Sequence, residues 1–470
     1  MRIYTSVSTR SSRVLGTARR QPVLGLRRHP GPLPPGQDKP AKMKGMNWRD
    51  SVIWWHVYPL GFTGAEQRLA DAAEHPVHRL EQVRHWLDYA TSLGANGLLL
   101  GPVFRSASHG YDTLDHFQVD PRLGDVDDLT RLIGDCVSHG TRIVLDGVFN
   151  HVCRDHAIVT QALADGPDSP AGRWIRWVDG HPRAFEGHER LIELNVEHPE
   201  VIDYLVTVAT HWLDLGIDGW RLDAAYAAGP DAWRPIIDAV RAHRPDTWFV
   251  GEVIHGDYAD FVTRSGVDTL TQYELWKGIW SSIQDTNFFE LAHALNRHQE
   301  MLQTFVPYTF LGNHDTTRIA SQISDERHLP HAYALLALLP GIPAIYSGDE
   351  HGFTGEKFEG EHGDDAVRPA FPASPDQLLP FGAATFELHQ RLLGLRRRHP
   401  WLTRASVSTR DLHNASVVVE LRSPDGPERL DLALNLADAP LPLPAGEVLT
   451  GSDTSSGSVP PHGWTVVRAG

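Results

Sequence analysis

Charged and polar side chains follow directly after four short apolar segments of this chain. The residues at these four positions are Asp146 to His151, Arg221 with Asp223, Glu252, and Asn313 to Asp315. Each motif alone is weak evidence, because an Asp after a strand is often a turn residue and a single His is often structural. Carboxylates held together without a chemical role would repel one another, so the whole set indicates a functional site.

Cleavage of a glycosidic bond is the chemistry that needs such a set. A retaining glycosidase requires a carboxylate nucleophile and a carboxylic acid about 5–5.5 Å away, and Asp223 with Glu252 could supply this pair. Arg221 precedes Asp223 by two residues, points to the same side of the strand and would keep Asp223 ionised. Glu252 has no such partner in sequence, and an apolar setting would suit it as the general acid. Asp315 could bind sugar hydroxyls as the ring flattens.

A hydrolytic metal site is the competing interpretation of the same residues. Its ligands would be Asp146, His151, Asp223, Glu252, His314 and Asp315. We favour it less, because the sequence contains no HxH or HExxH arrangement and Arg221 would compete with a bound cation. The sequence therefore predicts neither a metal at this site nor a cofactor.

Eight strand-like segments alternate with amphipathic stretches and must position these residues. They are Val52–Val57, Gly97–Leu100, Arg142–Val148, Asp218–Leu222, Thr247–Val250, Asp268–Tyr273, Val306–Leu311 and Pro343–Tyr346. Between them, Val201, Leu205 and Val208 share one helical face, and Pro199 suits the first turn of that helix. Eight such units without a GxGxxG motif predict an α/β fold, a closed (β/α)8 TIM barrel. Such a barrel brings the carboxyl ends of its strands to one rim.

The remaining segments predict the domain organisation. Residues 49–400 form the barrel, with a short insertion at about 151–190 after the third strand. Residues 401–470 contain four short strand patterns, typical of a C-terminal antiparallel β-sandwich domain. Residues 1–48 contain many Arg and Ser and are interpreted as a disordered or mis-assigned leader before the true start, although their composition also resembles a transit peptide.

Composition excludes several classes of partner. A formal net charge of -16 over 470 residues argues against nucleic acid and anionic membranes, and no apolar run is long enough to span a bilayer. The two cysteines, Cys136 and Cys153, cannot form a disulfide framework, which favours a reducing compartment, the cytoplasm. A neutral oligosaccharide is compatible with this surface, and both a monomer and a homodimer are compatible with the sequence.

At the four strand ends the chain resembles the α-amylase family of glycoside hydrolases, glycoside hydrolase family 13, in motif order and spacing. The resemblance runs from about Val52 onward. It implies that Asp223 is the nucleophile, Glu252 the general acid/base and Asp315 the transition-state stabiliser. It also implies that three further side chains hold the sugar in the cleavage subsite, with Asp146 bracing the arginine. These three are Arg221, His151 and His314.

Two further segments carry a weaker resemblance. Tyr111 is similar to the residue that stacks on the same sugar, and Asp112 could meet Arg368 at the non-reducing end. The alternative for Arg368 is a solvated loop arginine. Segments 251–257 and 266–273 are most similar to the cyclomaltodextrinase and neopullulanase branch.

The chain also departs from the family. Tyr226-Ala227 replaces the Lys-His pair common after the nucleophile in endo-acting amylases, which weakens the case for starch endo-hydrolysis and for calcium. The insertion is shorter than the usual one, and the branch's N-terminal β domain has no room here.

We therefore expect hydrolysis of short or cyclic α-glucans, with α-1,4 bonds favoured over α-1,6. An α-glucan transglycosylase, or another α-glucosyl transferase with the same covalent intermediate, is the alternative. A non-enzymatic interaction subunit is a third hypothesis, disfavoured because all three catalytic carboxylates are present.

Overall fold

The computed structural model describes residues 47–67, 75–360 and 362–470, so the predicted leader lies almost entirely outside the described residues. Eight parallel strands form the central sheet. They are β1 (Trp54–Val57), β2 (Gly97–Leu100), β3 (Arg142–Gly147), β4 (Gly219–Leu222), β5 (Trp248–Gly251), β6 (Thr269–Leu270), β7 (Tyr308–Phe310) and β8 (Ile342–Tyr346). Their neighbour order is β6-β5-β4-β3-β2-β1-β8-β7. A parallel bridge between Thr271 and Tyr308 joins the two edges, which confirms the predicted (β/α)8 barrel.

The register of β3, β4 and β5 aligns the reactive residues. Leu222 at the end of β4 pairs with Gly147 on β3 and with Gly251 on β5. Asp223 follows Leu222, and Glu252 follows Gly251, so the two carboxylate residues come directly after paired positions and lie side by side at the end of the sheet. One residue earlier, Arg221 pairs with Asp146 across β3 and β4. Apart from Arg142 at the start of β3, these three strands are buried along their length, as their mostly apolar sequences require.

Strand β6 is much shorter than the sequence predicts. The predicted segment ran to Tyr273, but the helix Tyr273–Gln284 begins there. Gln272 stops the strand, because its side chain accepts a hydrogen bond from the backbone N–H of Leu275 and so caps that helix.

Helices surround the barrel and connect its strands. The α-helices are Trp48–Ser51, Pro59–Phe62, Leu80–His85, Leu87–Leu93, Val126–Ser138, Ala157–Asp165, Pro199–Asp214, Ala225–Ala228, Pro230–His243, Tyr258–Ser265, Tyr273–Gln284, Phe288–Met301, Ile319–Gln322, Leu329–Leu338 and Ala383–Arg398. Short 3-10 turns are Gly172–Trp174, Glu326–His328, Asp349–His351, Asp365–Val367, Pro375–Gln377, Pro380–Gly382 and Pro400–Arg404. Pro199 occupies the first turn of its helix, and Val201, Leu205 and Val208 are buried, both as predicted. Within the described residues, no helix is both long and apolar enough to cross a membrane.

The insertion after β3 carries its own small sheets. Its strands are His151–Cys153, Trp177–Val178, His181–Pro182, Ala184–Phe185 and His188–Glu193. A hairpin of Phe104–Ser106 and Thr113–Val119 follows β2. The Tyr226 hydroxyl after β4 donates to Glu186 Oε1 of the insertion over 2.5 Å. The insertion is thereby tied to the strand that ends in Asp223.

An antiparallel sheet follows the last barrel helix, as the sequence predicts. Its strands are β9 (Ser406–Arg410), β10 (Ser416–Arg422), β11 (Arg429–Asn435), β12 (Glu447–Gly451) and β13 (Trp464–Arg468), in the order β9-β10-β11-β13-β12. A ribbon of Leu441–Pro442 and Ser458–Val459 packs with Val418 and Ala433 of this sheet. Strand β12 and the ribbon were not predicted. The domain boundaries at 48 and 400 stay predictions.

Buried histidines make the fold sensitive to acid. Burial lowers the pKa of His116, His298, His331 and His389 to about 4 each. The unfolded chain takes up these protons near pH 6.5, so between pH 6.5 and 4 it binds more protons than the folded chain. We expect the free energy of unfolding to fall through this window, by about 1.4 kcal/mol per pH unit for each group. Urea titrations at a series of pH values measure it, and a flat profile would contradict the prediction.

Candidate active site

A single buried guanidinium connects three carboxylates at the carboxyl ends of β3, β4 and β5. Arg221 Nη1 lies 2.7 and 2.6 Å from the two carboxylate oxygens of Asp146 and 3.4 Å from Asp223 Oδ1. Arg221 Nη2 lies 2.7 Å from Glu252 Oε1. None of the four residues is more than 7% exposed. The guanidinium occupies the position between these carboxylates that a metal ion would need.

Glu252 has no cationic partner close in sequence, but in space Arg221 is one, so its setting is not the apolar one that would suit a general acid. Arg221 reaches Glu252 across two paired strands, a contact that sequence spacing does not show. The other Glu252 oxygen, Oε2, accepts a 3.0 Å hydrogen bond from the backbone N–H of Ala224. Ala224 itself has a left-handed backbone, with φ of 46°.

Tyr273 is a further contact of Glu252 that the sequence analysis did not identify. Its hydroxyl donates to Glu252 Oε1 over 3.1 Å and accepts from Asn313 Nδ2 over 2.9 Å. Tyr273 is the first residue of the helix that follows β6. Because β6 ends early, at Leu270, this helix begins close to the strand end, and Tyr273 can reach Glu252. With three donors directed at it, the Glu252 carboxylate is arranged as a hydrogen-bond acceptor.

Burial and the neighbouring Glu252 carboxylate raise the pKa of Asp223 well above its usual range, and Arg221 only partly opposes this. Burial likewise raises the pKa of Asp146, against the attraction of Arg221. The sequence predicts that Arg221 keeps Asp223 ionised, but in the structure the guanidinium is shared among three carboxylates. Asp223 thus retains its proton to higher pH than an exposed carboxyl would.

Asp315 lies in a different electrostatic setting. Its carboxylate is 2.8 Å from His314 Nε2, 2.6 Å from Arg368 Nη2 and 3.9 Å from Lys357 Nζ. Desolvation opposes ionisation here, but these three groups hold the pKa of Asp315 well below its usual range. Its side chain remains 34% exposed, so an ionised carboxylate faces the open side of the site.

Aromatic rings hold His314. Tyr58 and Tyr111 stack nearly parallel to its imidazole, with ring centroids 5.7 and 5.1 Å away. The Tyr111 hydroxyl lies 3.0 Å from Asp146 Oδ2 and also contacts His314 Nε2.

His151 Nε2 donates to the Tyr111 carbonyl over 3.2 Å and lies 3.9 Å from Asp223 Oδ2. Burial lowers the pKa of His151 to about 3, so its ring is a neutral hydrogen-bond donor near neutral pH. Phe185 of the insertion stacks on it, with centroids 4.3 Å apart.

A cavity of about 770 Å³ lies beside these residues. Asp112 and Arg368 both line it, together with His109, Asp364 and residues 188–191 of the insertion. The two make no hydrogen bond or ion pair with each other. Asp112 accepts from Ser108, whereas Arg368 is buried and binds Asp315 and the carbonyl of His314. Arg368 is therefore a fixed part of the site and not a solvated loop residue.

The structure brings all nine predicted site residues to one rim of the barrel and adds four others. The additions are Tyr58, Phe185, Tyr273 and Lys357. Tyr58 directly follows β1, so the same search at strand ends would have found it. The other three lie in the insertion, at a helix start and in the loop after β8, where no spacing pattern points to the site.

Removal of the Tyr273 hydroxyl tests its contact with Glu252. Tyr273→Phe keeps the ring, which packs edge-on against Phe310. The hydroxyl also accepts from Asn313, so it fixes the position of the Glu252 carboxylate. We expect kcat/KM to fall by about 10-fold, the effect of losing one hydrogen bond to a charged group. Tyr204→Phe, away from the site, is the matched control, and equal kcat/KM values in the two variants would refute the contact's role.

The chain matches known proteins over most of its length. The family model "Alpha amylase, catalytic domain" matches residues 57–374. The chain is 28% identical to a cyclomaltodextrinase of Geobacillus thermopakistaniensis, over 89% of this chain and 77% of that protein. It is 30% identical to a cyclomaltodextrinase of a Bacillus species, in a match that covers 66% of this chain and 60% of that protein. A maltogenic alpha-amylase of Bacillus acidopullulyticus is 27% identical, in a match that covers 76% of this chain and 64% of that protein. The chain thus spans less than two thirds of the second and third of these relatives.

A solved structure of another hydrolase has a similar fold over most of the chain. The ligand-free cyclic alpha-maltosyl-(1→6)-maltose hydrolase of Arthrobacter globiformis superposes with a TM-score of 0.73 at 26% identity. The superposition covers 90% of this chain and 99% of that one. The family match covers more than half of the chain, and the barrel and the four strand-end motifs agree with it. The chain belongs to the α-amylase family of glycoside hydrolases.

Proposed function

We propose that this chain is a retaining hydrolase of short or cyclic α-glucans, with Asp223 as nucleophile and Glu252 as general acid/base. One observation carries the proposal: both carboxylates leave adjacent, paired strands and contact the same buried guanidinium. Such a close pair suits double displacement, whereas an inverting pair is spaced more widely to admit a water.

The reaction proceeds in two balanced steps. Asp223 attacks the anomeric carbon, the bond to the departing oxygen breaks, and Glu252 gives that oxygen its proton. Glu252 then takes a proton from water, the water oxygen attacks the anomeric carbon, and the bond to Asp223 breaks. The sugar is released with its original configuration because two inversions cancel.

Glu252 acts as an acid in the first step and as a base in the second. The backbone N–H of Ala224 and the Tyr273 hydroxyl hold its carboxylate in place for both roles. Burial and the neighbouring Glu252 raise the pKa of Asp223 in the empty site, whereas attack on the anomeric carbon needs the ionised form of Asp223.

The remaining predicted residues bind the sugar. The ionised Asp315 accepts hydrogen bonds from ring hydroxyls, most strongly as positive charge develops at the anomeric carbon. Tyr111 offers a ring face to the sugar, and the neutral His151 donates a hydrogen bond beside Asp223. Asp112 and Arg368, which both line the cavity, bind the non-reducing end of the sugar.

The substrate class is supported by the names of relatives. Besides the cyclomaltodextrinases and the maltogenic amylase, the chain is 28% identical to neopullulanase 2 of Thermoactinomyces vulgaris. We propose α-1,4 bonds in cyclic or short glucans over α-1,6 bonds. A cytoplasmic location is proposed as well, since a 29% identical relative is an intracellular maltogenic amylase of Bacillus subtilis.

Product analysis tests the proposal. The chain is incubated with maltotriose and with a cyclodextrin, and the products are separated by chromatography while NMR records the anomeric configuration. We expect shorter glucans released first as α-anomers. Initial β-anomers would contradict the double displacement, and products longer than maltotriose would favour the transglycosylase alternative.

A further inference from the structure

Two histidines and an aspartate converge between the barrel and the C-terminal sheet, away from the active site. His328 precedes the helix Leu329–Leu338, and His462 lies just before β13. His328 Nε2 is 3.0 Å from His462 Nδ1 and 3.9 Å from Asp325 Oδ2. The three ligand atoms lie within 4.8 Å of one another.

The contact of His462 Nε2 with Asp438 determines which form its other ring nitrogen, Nδ1, takes. His462 Nε2 lies 2.9 Å from Asp438 Oδ1 and donates its proton there. With its proton on Nε2, the ring presents the lone pair of Nδ1 toward His328. Metal-bound histidines are commonly oriented in this way by a carboxylate on the opposite nitrogen.

A neighbouring contact holds the two segments in place. His331, one helical turn beyond His328, has its Nε2 3.2 Å from the Asn435 carbonyl and 2.9 Å from the Gly463 carbonyl. Both carbonyls belong to the C-terminal sheet region, next to His462. The separation of the two coordinating nitrogens is thus fixed without a metal.

The spacing of the two nitrogens is close to that of a tetrahedral zinc site, whereas the aspartate oxygen, 3.9 Å from His328 Nε2, has to move inward by about half an ångström. Zinc–nitrogen distances of about 2.0–2.1 Å place two tetrahedral ligands about 3.3–3.4 Å apart. The 3.0 Å separation of the nitrogens requires a widening of only a few tenths of an ångström. Two imidazoles and a carboxylate form a donor set that suits Zn²⁺.

Arg327 is the group that competes for the aspartate. Its Nη2 lies 2.6 Å from Asp325 Oδ2, and its Nε lies 3.0 Å from Oδ1. A carboxylate has about four acceptor sites, so it can bind a guanidinium and still ligate a metal.

We propose that Asp325, His328 and His462 form a structural Zn²⁺ site that joins the barrel to the C-terminal sheet. The histidines are 134 residues apart, so no spacing motif in the sequence reveals the site. Water supplies the fourth ligand, because Asp325 and His462 are partly exposed. This site is independent of the proposed glycosidase chemistry.

Zinc titration of the full chain tests the site. The protein is stripped with EDTA, dialysed and titrated with ZnCl₂ by calorimetry, and Tm is measured with and without zinc. We expect one tight site that raises Tm, and its loss in His462→Ala. His413→Ala, an exposed histidine in the turn before β10, is the matched control and should bind as the parent does. Asp438→Asn should weaken binding about 10- to 100-fold.

Three results would overturn the proposal. They are no tight binding by the parent chain, unchanged binding in His462→Ala, and equal losses in His462→Ala and His413→Ala. Because His462→Ala also removes the direct histidine contact, its Tm without zinc separates that structural effect from the loss of the metal.

Discussion

Asp223→Asn should lower kcat by on the order of 10⁴-fold or more, the scale seen when a covalent nucleophile is removed. The amide cannot form the glycosyl ester, so the first step of the double displacement is lost. Arg221 keeps its contacts with Asp146 and Glu252, so the fold should persist. Initial rates on maltotriose and a cyclodextrin measure the effect, and circular dichroism with thermal unfolding checks the fold.

Asp238→Asn is the matched control for this variant. Asp238 makes the same kind of contact, an ion pair with Arg234 at 2.8 Å, but on the exposed surface of the helix Pro230–His243. Its substitution should leave kcat within about twofold, since exposed ion pairs contribute little. Undiminished turnover by Asp223→Asn would show that the nucleophile is elsewhere.

Glu252→Gln should lower kcat/KM for natural glucans by about 10²- to 10⁴-fold, the usual contribution of general acid–base catalysis. Gln cannot protonate the departing sugar oxygen or activate water. With an aryl glycoside, the rate of the first step should fall only slightly, because the phenolate leaves without needing a proton from Glu252. The covalent intermediate should then accumulate, because its hydrolysis still needs a base.

Azide separates the two roles of Glu252. As a nucleophile that needs no base, it should restore turnover of the aryl glycoside by Glu252→Gln and form a glycosyl azide of retained configuration. Equal losses on natural and activated substrates, with no effect of azide, would argue against Glu252 as the acid/base. Asp223→Asn should show no such dependence on the leaving group.

Strand positions could be read from the sequence because the barrel strands are mostly buried apolar runs, interrupted only by single polar residues such as His56, Asp146 and Arg221. Gly97–Leu100 was predicted with its observed limits, and Trp248–Gly251 within one residue. The failures have local causes. Gln272 caps a helix where the apolar pattern continued, and Glu447–Gly451 is an exposed edge strand without an apolar run.

The site was predictable where its residues follow strand ends. Asp223, Glu252 and Asp315 are of this kind, and the structure places them at one rim. Contacts across the sheet were not predictable, because the bond from Arg221 to Glu252 depends on strand register. Phe185 has no sequence signal, since its position depends on how the insertion folds back over His151.

The left-handed backbone at Ala224 restricts what directed evolution can do beside the nucleophile. Position 224 adjoins the reactive carboxylate and would be an early choice for a saturation library aimed at linkage preference. Glycine and asparagine accept a φ of 46° readily, whereas β-branched side chains do so rarely. The Ala224 methyl also packs with Phe185 and Leu191 of the insertion, leaving little room for bulk. Variants of that library would be sorted first by backbone compatibility and only then by the sugar they accept.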